Sequence, residues 1–225
     1  WLPNEIPDGN NDVIIPNGAP NYPILDQDAG VRDLDMGSNA SIVLNGFLLA
    51  LNGSLTDVDL GASIDASAPN SEVYMSASTL QDIPANFIDE DVSNFTIENS
   101  SGVILNSEMN ISEVLLIKEG NLETNDFVSL TCSFLPIRKT ALIGPLDGTI
   151  TGELTVEQCF PGRRAFRLVT SSVTTSTSIK LNWQENPSSY TDYPNPGYGT
   201  HITGVEPGTS DATPGQDGMN GFDYS

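Results

Sequence analysis

Almost nothing in this chain repeats with the period of a helix. The one candidate, Leu80 to Val92, contains Pro84 and the acidic run Asp89, Glu90, Asp91, so a loop or short turn is expected there. Short β-patterned runs dominate instead: "DVIIP" (12–16), "VRDLDM" (31–36), "SIVL" (41–44), "FLLAL" (47–51), "EVYM" (72–75), "NFTIE" (94–98), "GVIL" (102–105), "MNIS" (109–112), "VLLI" (114–117), "VSLT" (128–131) and "GELTVE" (152–157). Gly, Asn and Ser turns of only a few residues separate them. A chain so punctuated is all-β.

Markers at Val13, Val31, Phe47, Val73, Phe95, Val114, Val128 and Leu154 are irregularly placed but average about twenty residues apart. Helix-free repeats of that length are what a β-solenoid produces, with one short strand per face and coils stacked at about 4.8 Å. Seven or so coils would make a rod of roughly 35 Å. No single coil can bury its apolar residues alone, so the core exists only as the stack. Asn99, Asn106, Asn110, Asn121 and Asn125 suit tight turns, because left-handed geometry costs Asn less than most residues. The competing architecture is a Greek-key β-sandwich, which also needs many short strands.

Charge narrows the function classes. Eight basic against thirty acidic residues give a formal net charge of −22. Such a surface repels phosphate backbones and anionic lipid, so neither nucleic acid nor a polybasic membrane contact is an expected partner. No stretch of eighteen apolar residues suggests membrane insertion. The chain starts at Trp1 without Met or signal peptide, which predicts a mature or partial chain. Up to residue 136 only Arg32 and Lys118 are basic; Arg138, Lys139, Arg163, Arg164, Arg167 and Lys180 follow closely. Beyond Trp183 a Pro-, Gly-, Ser- and Thr-rich tract without periodicity reads as long loop or extended arm.

The two cysteines are too few for a disulfide framework. If Val128, Leu130 and Cys132 point inward on one strand and Leu154 and Val156 on the next, Cys159 falls on the opposite parity. A Cys132–Cys159 bridge then needs a bulge between them.

The stretch "IPANFIDEDVSNFTIENSSGVILNSEMNISEVLLIKEGNLETNDFVSLTCS" resembles a recurring coil unit of large secreted bacterial surface proteins carried by the type IX secretion system. "DGNNDVIIPNGAPNYPIL" is similar to the opening of that region, "GTITGELTVEQCFPGRRAFRLVTSSVTTSTSIKLNWQE" to the junction after its last coil, and "NPGYGTHITG" to a segment beyond the junction. The likeness runs from Asp12 to Gly204, with the parts in the same order. Gln158–Cys159 departs from it, standing where the family usually has Arg followed by Tyr or Phe. The resemblance implies a modular, exported protein with an adhesive or structural role at the bacterial cell surface, and offers no active site to transfer. It favours the solenoid, with residues 1–158 as coils and 159–225 as a junction strand plus the start of a second β module or arm.

Candidate sites are sparse. His201 is the only histidine and no GxSxG accompanies it, so a His cluster is impossible and a triad improbable in composition. Asp8, Asn10 and Asp12 spell the first half of a calcium loop, yet Val13 stands where the turn glycine belongs and no Glu closes the loop. They leave Ca²⁺ as the one conceivable cofactor, with Asp57 and Asp59, Asp89 to Asp91, and Asp211 and Asp217 similar in kind. Carboxylate pairs raise the question of polysaccharide cleavage, but the coils carry almost no Arg, Lys or His to complete a cleft, so no enzyme is expected. Trp183, Tyr190, Tyr193 and Tyr198 are the best candidates for stacking a glycan. Arg163, Arg164 and Arg167 alternate along their run and do not converge, so they are read as structural ion pairs to acids such as Glu153 or Glu157. Sequons at Asn39, Asn52, Asn94, Asn99 and Asn110 are about as many as chance provides. The expectation is a non-enzymatic extracellular module, alone or in a longer adhesin or surface fibre, with self-association or further modules as partners. The alternative is a carbohydrate-binding module or a degenerate polysaccharide-active β-helix with glycans as partners.

Overall fold

The computed structural model describes residues 6–57, 60–133 and 139–159, together with Thr174 and Ser176. The chain divides into two units, Trp1–Phe166 and Arg167–Ser225; the architecture below belongs to the first. It is a parallel β-solenoid, and no helix occurs among the described residues.

Strands are numbered along the chain and form three faces. The first face stacks β4 (Ser41–Val43), β7 (Ser63–Ala66), the opening of β10 (Ile88–Leu105), the opening of β11 (Met109–Glu123), β12 (Val128–Leu130) and β17 (Leu154–Val156). The second stacks β2 (Ala29–Val31), β5 (Leu48–Leu51), β8 (Glu72–Met75), the middles of β10 and β11, and β15 (Leu142–Leu146). The third stacks β1 (Val13–Ile15), β3 (Leu34–Met36) and β6 (Leu55–Asp57). The same face resumes, without a pairing between β6 and β9, in a second ladder of β9 (Gln81–Ile83), the ends of β10 and β11, and β16 (Thr149–Thr151). Third-face segments start at residues 13, 34, 55, 81, 103, 121 and 149, which makes six turns. The longest turn contains a short antiparallel excursion, β13 (Cys132–Ser133) against β14 (Lys139–Thr140).

Alternation builds the core. In β8, Val73 and Met75 are fully buried while Glu72 and Tyr74 are half-exposed. Parallel in-register pairing then places like on like: Leu49, Val73, Phe95 and Leu115 form one inward column, and Leu51, Met75, Ile97 and Ile117 the next. Each coil covers its neighbour's apolar edge, so burial is a property of the stack.

Among the described residues a Greek-key sandwich is excluded, because every strand pair there except β13–β14 is parallel. The Leu80–Val92 segment forms no helix and turns at Pro84–Phe87, as expected, but that turn joins two strands. The segment supplies β9 and the start of β10, and Asp89, Glu90 and Asp91 form a bulge where Ile64 pairs with Ile88 but Ala66 with Val92. The corner asparagines also differ from expectation. Among the described residues the left-handed asparagines are Asn39, Asn45, Asn70, Asn86 and Asn125, so of the five singled out only Asn125 is one. Asn99 and Asn106 work through their side chains, donating to Thr79 O and Ile83 O of the preceding coil. Asn110 and Asn121 lie in β11.

The cysteines are joined, with Cα atoms 5.8 Å apart. The parity argument fails because the β12–β17 pairing ends at Leu130 and Val156, before either cysteine, and Cys132 enters the antiparallel β13. Cys132 lies two residues past its strand and Cys159 three past its own, and this one-residue offset does the work of the bulge.

Candidate interaction surfaces

Most charged groups on the coils are committed to the neighbouring coil. Tyr74, Glu98 and Lys118 occupy the second face on three successive turns. The Tyr74 hydroxyl donates to Glu98, and the Lys118 ammonium lies 3.5 Å from Glu98, 3.2 Å from the Tyr74 oxygen and 4.8 Å from the centre of its ring. The Tyr74 hydrogen bond holds the Glu98 carboxyl below its ordinary range, and desolvation pushes the Tyr74 hydroxyl up. A second cluster joins Glu113, which accepts from Lys139 and from the Asn94 amide. Burial pushes Glu113 upward, but the hydrogen bonds from Lys139 and Asn94 outweigh it and its pKa is lowered. Both clusters were missed in the sequence; their intervals of about one coil, 74 to 98 to 118, were the available signal.

Polar groups inside the stack are also tied down. Gln81 takes a core position in register with Val103. It donates to Leu51 O and Gly53 O and accepts from Asn99, itself fully buried. Asp57 stands in the inward column of Ile15 and Met36. One of its oxygens accepts from Gly61 N and the other is buried without a partner.

The calcium candidates at the first coil are engaged otherwise. Asp12 receives Arg32 through two nitrogens, at 2.6 and 2.7 Å, and that hydrogen-bonded pair lowers its pKa. Asp8 accepts from Asn10 N, closing its own turn. Asn10 is exposed. Among the described residues no three His, Cys, Asp or Glu side chains are grouped to hold a metal. Asn99 of the sequons is fully buried and donates to Thr79 O and Gln81, so it is closed to glycosylation in the folded state. Trp183, Tyr190, Tyr193, Tyr198, His201, Arg163, Arg164 and Arg167 lie outside the described residues, as do Asp59, Asp211 and Asp217.

The structure adds an open end. Beneath the first coil lies an apolar cavity of about 190 Å³. Its inner wall is core, Val13, Val31, Ile42 and Leu49, and its rim carries the exposed Ile6 and Ile24. Asp26, also on the rim, is exposed.

These features define a three-faced parallel β-solenoid whose surface charges tie coil to coil. Compared with known proteins, the chain matches no family model, no characterised protein and no solved structure.

Proposed function

We propose that this chain is an extracellular, non-enzymatic structural or adhesive module of a bacterial surface protein or fibre, of the type IX cargo kind that its sequence resembles. The observation that carries the reading is the Cys132–Cys159 bridge, since structural disulfides persist in oxidising compartments and are rare in reducing ones. A second support is the commitment of the surface charges: Glu98, Glu113 and Asp12 are each paired across coils, which suits a scaffold better than a catalytic cleft. The formal charge of −22 suits a surface that stays soluble outside the cell.

The test is thiol titration of the protein isolated from its native host without reductant, coupled to protease shaving of intact cells. The reading requires no free thiol and loss of the protein on shaving. Two free thiols in a protease-protected protein would end it.

A further inference from the structure

We propose that copies of this chain add head to tail, the first coil of one receiving the last coil of another, with the third and first faces carrying the contact. The inference rests on the structural role proposed above and names the partner: a second copy.

The backbone supplies the geometry. In a parallel ladder alternate residues turn their N–H and C=O to opposite neighbours. Throughout this solenoid inward residues bond to the following coil: Val13 N to Asp33 O, Leu34 N to Ser54 O, Ile64 N to Phe87 O. Outward residues bond to the preceding coil, as in Ser63 N to Ala40 O and Glu157 N to Leu130 O. At the first coil, outward Ile14 therefore turns its unpaired backbone away from β3. At the last, Thr151 O is taken by Thr124 N, so inward Ile150 faces away from β11. Among the described residues neither edge has a ladder partner. The two edges present the donor and acceptor parity that every internal junction uses, in the same chain order of faces. Pro145 sits in the last strand of the second face, where it lacks a donor, so that face contributes least.

The side chains agree. At the first coil the apolar cavity borders Val13 and Val31, and Ile24 is 66% exposed at its rim. In the last coil Ile150, Leu154 and Val156 are partly exposed, while Leu122, Val128 and Leu130, their register partners one turn earlier, are buried. A contact between unlike ends does not close on itself, so the product is a row of copies.

The experiment uses the full chain and two proline variants. Ile14→Pro removes an edge donor from a side chain that is 73% exposed, and Ile150→Pro does the same at the other edge. Sedimentation velocity should show wild-type mass rising with concentration and each variant alone monomeric. An equimolar mixture should stop at dimers, because one free end of each kind remains. Circular dichroism checks folding; if Ile150→Pro does not fold, titrating wild type with Ile14→Pro should lower the mean mass by capping rows. A wild type monomeric at its highest attainable concentration, variants that still associate, or a mixture or titration without effect overturns the inference. A monomeric wild type that is still disulfide-bonded and surface-exposed removes the assembly alone and leaves the module reading standing.

Discussion

Breaking the Cys132–Cys159 bridge should loosen the last coil before the rest. The bridge closes a loop of 27 residues that contains the β13–β14 excursion, β15, β16 and β17. In the chain-entropy treatment, a loop of that length constrains the unfolded chain by about 12 cal/mol/K, or about 3.5 kcal/mol at room temperature. The effect should be local, because these strands pair on one side only among the described residues, β15 and β16 with β11 and β17 with β12. Cys132→Ser with Cys159→Ser, or reduction of the native protein, should therefore lower the urea midpoint by about 1–2 M at a slope of 2–3 kcal/mol/M. Amide hydrogen exchange should accelerate across residues 142–156, while Val73, Phe95 and Leu115, deep in the stack, keep their protection. Equal midpoints with and without reductant, or acceleration beginning at the first coil, would refute the reasoning.

Three further outcomes rest on single contacts. Asn99→Ala strips partners from Thr79 O and buried Gln81, and should cost about 3 kcal/mol in chemical denaturation; a loss below 1 kcal/mol would mean that water replaces the amide. Gly120 has φ 88°, and an added Cβ would stand 1.7 Å from Asn99 O, so Gly120→Ala should destabilise by more than about 3 kcal/mol. Its melting curve checks this, and a wild-type curve would refute it. Glu113 is held below its ordinary 4.5, so its contribution is present above that value and disappears as pH falls through the lower folded pKa. Thermal midpoints of wild type should drop on acidification below about 4.5, and Glu113→Gln should flatten that part of the profile; parallel profiles would count against it.

The open first coil shows how the fold positions its own liabilities. Interior coils bury Leu34, Leu51 and Met75 fully, because each is capped on both sides. Val13 and Val31 are buried as well, but among the described residues their strands have a ladder neighbour on one side only, and they border the cavity. The committed ion pairs have the same origin: in-register stacking repeatedly brings residues about one coil apart to adjacent strands, so Asp12 meets Arg32 and Glu98 meets Lys118.

By itself the sequence determined the class of fold and the rhythm of the chain. Alternation in "EVYM" and "VSLT", with Gly, Asn and Ser between such runs, leaves no helix to form and places strands where β8 and β12 lie. What it left open was everything set by pairing. Period-two patterning is equally compatible with parallel coils and antiparallel hairpins, and only the tertiary structure selected parallel register. In Leu80–Val92 the turn at Pro84 is legible, but the strands on either side are not, because a bulge of three acids between Ile88 and Val92 hides their alternation. Cys159 was misread because parity holds only while a strand is paired, and pairing stops at Val156. Which asparagine bends the backbone and which bonds the coil below depends on contacts some twenty residues away, as Asn125 to Leu105 O illustrates. Local chemistry chose the strands; stacking decided which side chains became core, corner or clasp.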